Sequence, residues 1–94
     1  MNKYEVTYII NPNVEEEPRQ ALVERFSGLI TGSGGAVDSI DDWGKKQLAY
    51  EINDMTEGHY IFMQFSCEAE FPTELERNLK INEDIMRYMI IRQE

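Results

Sequence analysis

His59-Tyr60-Ile61-Phe62-Met63-Gln64-Phe65-Ser66-Cys67 is the densest β-forming run in this 94-residue chain. Aromatic and β-branched side chains suit a pleated, half-buried backbone, and neighbours along a strand point to opposite faces. The run predicts a strand with Ile61, Met63 and Phe65 on one face and Tyr60, Phe62 and Gln64 on the other. Neither face is fully polar.

Working outward, Asn53-Asp54-Met55-Thr56-Glu57-Gly58 has turn chemistry. Before it, Ala36 to about Tyr50 reads as a longer, more polar strand with a kink expected at Gly44. Leu22, Phe26, Leu29 and Ile30 recur at i, i+4, i+7 and i+8, which is one stripe of a helix. Glu15, Glu16 and Glu17 suit the positive end of that helix, and Pro18 fits its first turn. Thr31-Gly32-Ser33-Gly34-Gly35 ends it. Lys3 to Ile10 forms a first strand with Tyr4, Val6, Tyr8 and Ile10 on one parity, stopped by Asn11-Pro12-Asn13. Downstream, Pro72 and Thr73 open a second helix carrying Leu75 and Leu79. Asn82-Glu83-Asp84 breaks it, and Ile85 to Arg92 is the last strand.

The order is βαββαβ, an α+β ferredoxin-like arrangement, with residues 1–94 expected as one domain. Two right-handed split βαβ units give a four-stranded antiparallel sheet in the order 4-1-3-2, with both helices on one face. Val6, Tyr8, Ile10, Ile61, Met63, Phe65, Tyr88 and Ile90 should lie under the helices. Glu5, Thr7, Ile9, Tyr60, Phe62, Gln64, Arg87, Met89 and Ile91 should form the open face. Five of those nine are large and apolar, whereas an uncovered sheet face normally alternates to polar residues. Ile9, Tyr60, Phe62, Met89 and Ile91 are thus candidates for contact with a partner.

Nine Lys or Arg against eighteen Asp or Glu give a net charge of −9. That balance argues against nucleic-acid binding through net charge alone. A single cysteine, Cys67, excludes a disulfide framework, a cysteine zinc cage and a four-cysteine iron–sulfur cluster. No apolar run is long enough to span a bilayer, and the N-terminus lacks a signal-peptide pattern, so a cytoplasmic location is expected.

An enzyme is not expected. The lone histidine, His59, has no Ser or Cys placed to make a nucleophile–base pair, and it reads as a partly exposed strand residue. Asp38, Asp41 and Asp42 lack the spacing and distal Glu of a calcium loop, so no metal and no cofactor are expected. Gly32, Gly34 and Gly35 follow a helix, whereas a phosphate-cradling loop must lead into one. The acylphosphatases share this topology, but their glycine loop with its arginine is replaced here by Asn11-Pro12-Asn13. An RNA-recognition motif would need a basic residue and stacking aromatics where Glu57, Ile61 and Gln64 stand.

The cations are few, so their position matters. Lys45 and Lys46 are adjacent, and they would reach RNA only if their hairpin projects. Lys3, Lys80, Arg87 and Arg92 could share one sheet edge in the 4-1-3-2 order. Salt limits the reach of the surrounding acids to about 8–10 Å, so a local basic edge can still hold phosphate.

Gly44-Lys45-Lys46-Gln47-Leu48-Ala49-Tyr50-Glu51-Ile52-Asn53 resembles the characteristic segment of the bacterial ribosomal protein six family of the small subunit. Lys3-Tyr4-Glu5, Asn11-Pro12, Gly58-His59-Tyr60 and the stretch Leu79 to Tyr88 match that family in order and spacing. The resemblance implies a structural component of the small ribosomal subunit that binds the central domain of its RNA. It implies a heterodimer with ribosomal protein eighteen, formed before RNA binding. It places RNA-facing cations at Lys3, Lys45, Lys46, Lys80 and Arg87. Glu51 stands where many members carry proline, and the acidic C-terminal tail of some relatives is absent. The competing reading is a regulatory domain that homodimerises through its open sheet face and binds a small ligand.

Overall fold

In the computed structural model, which describes residues 1–52 and 54–93, six elements follow the expected order. They are β1 (Asn2–Ile10), α1 (Glu16–Gly32), β2 (Ala36–Ile52), β3 (Met55–Cys67), α2 (Phe71–Ile81) and β4 (Ile85–Gln93). All strand pairs are antiparallel, and the sheet order β2-β3-β1-β4 is the predicted 4-1-3-2. The two inner strands are those with the strongest apolar alternation.

The predicted helix-side face is the core. Val6, Tyr8, Ile10, Ile61, Met63 and Phe65 are buried, with Tyr88 and Ile90 packed at its margin. Against them α1 brings Phe26 and Ile30, and α2 brings Phe71, Leu75 and Leu79. Tyr8 meets Phe26 edge-on at 5.3 Å, and Tyr4 stacks on Phe65 at 5.7 Å. Each aromatic buries a large area, and such ring pairs add to simple area burial. At the end of α1 the Gly35 N–H donates to the Ile30 carbonyl. A β-carbon at Gly35 would stand 2.5 Å from the Ser66 carbonyl oxygen, so close approach of chain to chain selects glycine there.

Two sequence readings are corrected. Met55, Thr56, Glu57 and Gly58 are not a turn but the first residues of β3, paired back to β2. Their backbone groups find partners in β2 although their side chains favour turns. Just before β3, Asp54 has a φ of 65°. Asn53, assigned to that turn and to the family segment, lies outside the described residues. The second correction is His59, expected to be partly exposed and found 6% exposed. It shares the parity of Ile61, Met63 and Phe65 and so faces the helices.

The kink at Gly44 is present. Register shifts between Asp42 and Gly44, and Gly44 has a φ of 75°. The Asp42 carboxylate accepts the Gly44 N–H at 2.8 Å, closing a local turn inside the strand.

Candidate functional site

The long β2–β3 hairpin organises the surface. Pairing of β3 with β1 stops at His59–Ile10, while pairing with β2 continues to Ile52–Met55. Beyond His59 the hairpin is paired within itself and folds over the open face, where Tyr50 meets Arg87. Lys45 lies opposite His59 and Lys46 opposite Gly58, at the base of this segment.

Register also sorts the other cations. Arg87 of β4 lies opposite Ile9, at the hairpin end of β1. Lys80 is in the last turn of α2, which leads into the same end of β4. Lys3 lies opposite Gln93, at the other end, about 20 Å from Arg87 at about 3.4 Å per residue. Arg92 lies opposite Tyr4, beside Lys3, and donates to the Asn2 side chain. The cations expected on one edge thus separate into Lys80 and Arg87 at one end and Lys3 and Arg92 at the other; Lys45 and Lys46, on the opposite edge strand, lie at the end of Lys80 and Arg87. Among the described residues the ion pairs are His59–Asp42 and Arg77–Glu74, so none of the five candidate cations is neutralised by a carboxylate. The Arg77 fork also holds the Glu74 carboxyl below its ordinary range.

Of the candidate partner residues, Met89 and Ile91 are widely exposed at 60% and 45%, and Tyr60 and Phe62 are half-buried. Ile9 is only 7% exposed and forms the floor beneath them. Trp43, not singled out from the sequence, extends the same face. It stacks on Phe62 at 5.5 Å and Tyr60 at 6.4 Å and remains 49% exposed. Asp41 pairs with Phe62 and Asp42 with Ile61, so Trp43 shares the open-face parity of Asp41; the register shift between Val37 and Ser39 sets that parity, which counting alternation from Val37 does not reveal. Arg87 carries its guanidinium over the Tyr50 ring and donates to the Tyr50 hydroxyl, tying β4 to the hairpin across β1.

On the helix side, His59 Nε2 meets Asp42 Oδ1 at 2.5 Å. The nearby Tyr8 hydroxyl is buried without a protein partner; burial raises its pKa strongly, and the Asp42 charge adds to the shift. Burial also pushes the Cys67 thiol upward, with Glu68 contributing, which disfavours the reactive thiolate.

The family described as Ribosomal protein S6 matches residues 3–92. A small ribosomal subunit protein bS6 from Alkaliphilus oremlandii (strain OhILAs) is 50% identical over 94 residues, covering 100% of this chain and 99% of the relative. The crystal structure of 30S ribosomal protein S6 from Thermotoga maritima superposes with a TM-score of 0.93 at 35% identity, covering 98% of this chain and 87% of that one. The likeness extends through the hairpin, both helices and all four strands, and on these grounds the chain belongs to the ribosomal protein S6 family of the small subunit.

Proposed function

We propose that the chain binds the central domain of small-subunit ribosomal RNA as one half of a heterodimer with ribosomal protein eighteen. The observation that carries this reading is the adjacency of two unlike surfaces. Among the described residues Lys45, Lys46 and Lys80 have no carboxylate partner at the hairpin end, beside an open face on which Trp43, Met89 and Ile91 are exposed and Tyr60 and Phe62 half-buried. Phosphate contacts fix register and orientation without reading sequence, which suits a structural subunit. With a charge of −9, this chain alone gains little from polyelectrolyte attraction, and a basic protein partner on the apolar face offsets that charge. Lys3 supplies a second, separate phosphate contact, and Arg87 stands between the two surfaces.

Binding of central-domain RNA by each protein alone and by the pair tests the reading. The pair should bind tightly and the isolated chain feebly. Equal binding by the pair and by either protein alone would overturn it, as would a stable homodimer indifferent to RNA.

A further inference from the structure

Between the hairpin and β4 the open face sinks into a groove of about 280 Å³. Ile9 and Tyr60 form its floor, Leu48 and Ile52 one wall, and Arg87 and Met89 the other. Two of its lining residues close on Gly58: a β-carbon there would overlap Ile9 Cγ2 and come within 3.5 Å of Leu48 Cδ2.

We infer that this groove anchors the protein partner by taking one large aliphatic side chain whose neighbouring carboxylate is held by Arg87. The inference deepens the reading of the open face as a protein-binding surface and rests on it. Two observations choose the occupant. Ile9, Leu48, Ala49, Ile52 and Met89 make up half of the lining and carry no hydrogen-bonding side-chain group, so a nucleobase edge set against them would lose water without replacement. An aliphatic side chain has nothing to lose there. Second, Arg87 is a cation in an acid-rich chain, yet no described carboxylate pairs with it. Tyr50 orients it by taking one N–H and by lying beneath the guanidinium, so the remaining N–H groups form a fork that matches a carboxylate. An anchor in a pocket ringed by Tyr and Arg is also the usual composition of an interface hot spot.

The test is methyl NMR of the full chain titrated with N-acetyl-leucine, N-acetyl-leucinamide and uridine monophosphate. N-acetyl-leucine should shift the Ile9, Leu48 and Met89 methyls and bind about threefold more tightly than the amide, as expected for one exposed ion pair. In Arg87→Met the preference for the carboxylate should vanish while the amide still binds. Met89→Trp, at an exposed edge-strand position, should crowd the groove and weaken both. Equal binding of acid and amide by the wild-type chain, no shift with either, or stronger perturbation by uridine monophosphate would each overturn the inference. Pair formation between the unmodified chain and ribosomal protein eighteen, measured separately, shows whether the underlying partner reading itself fails.

Discussion

Gly58 of β3 lies so close against Ile9 of β1 that a β-carbon at position 58 would overlap Ile9 Cγ2. The contact brings the hairpin down over the open face and explains why Ile9 is buried on the side of the sheet that no helix covers. Gly58→Ala should therefore cost roughly 1–3 kcal/mol, the range for overpacking a tight site. Gly28 supplies the control. It sits in α1, where an added β-carbon would meet nothing within 4 Å, so Gly28→Ala should stabilise by roughly 0.5–1 kcal/mol through helix propensity. Urea unfolding of both variants measures the two opposite shifts.

Asp42 holds two donors at once, the Gly44 N–H at 2.8 Å and the His59 ring at 2.5 Å. His59 Nδ1 is buried without a protein partner, so loss of Asp42 leaves the imidazole with no hydrogen bond to the rest of the chain. Asp42→Ala should lower stability by roughly 1–3 kcal/mol, the cost of leaving a buried polar group unmatched. Asp42→Asn keeps an acceptor and should fall between the two. Denaturant midpoints for the three proteins check the order, and equal midpoints for Ala and Asn would show that the hydrogen bonds contribute nothing.

Much of this was legible from residue periodicity. The alternation of Ile61, Met63 and Phe65 fixed the core face, and the Leu22–Ile30 stripe placed the first helix. Sheet order followed from element order alone. The misread parts share one cause: they depend on partners distant in sequence. Met55 to Gly58 carry turn-forming side chains, but β2 offers their backbone a ladder, and the ladder prevails. His59 is polar, yet its parity puts it under the helices, where Asp42, paired with Ile61, lies on the same face and meets it. The separation of Lys3 from Arg87 could have been read from antiparallel register, since the start of β1 lies against the end of β4. Trp43 reaches the open face through the register shift between Val37 and Ser39, which depends on pairing with β3 and not on the sequence of β2 alone.

The Tyr8 phenol makes stability depend on alkaline pH. Burial, then the Asp42 charge, raises its pKa far above the ordinary 10.0, so the folded state keeps the proton that the unfolded chain releases. The sign follows from linkage: the contribution is fully present below pH 10 and is lost as pH rises above it, because only the unfolded state gives up a proton there. Tyr8→Phe removes this dependence. It also removes a buried hydroxyl with no protein partner, so its stability near neutral pH should be unchanged or higher by up to about 1 kcal/mol. Unfolding free energies from pH 8 to 11 should diverge between the two proteins, with Tyr8→Phe the less sensitive.

The two groups of cations should contribute separately to RNA binding. Lys45 and Lys46 sit at the base of the hairpin and Lys3 at the far end of the sheet, about 24 Å away along the strands. That distance exceeds the screening length of roughly 8 Å at physiological salt, so removing one group leaves the field at the other almost unchanged. In complex with ribosomal protein eighteen, Lys45→Ala with Lys46→Ala should reduce the slope of log affinity against log salt by about 1.4–1.8, and Lys3→Ala by about 0.7–0.9. The triple variant should show the sum. A double variant with an unchanged slope would remove the hairpin lysines from the RNA interface. A triple variant that loses more than the sum would mean that the two groups are coupled through the fold rather than acting as independent phosphate contacts.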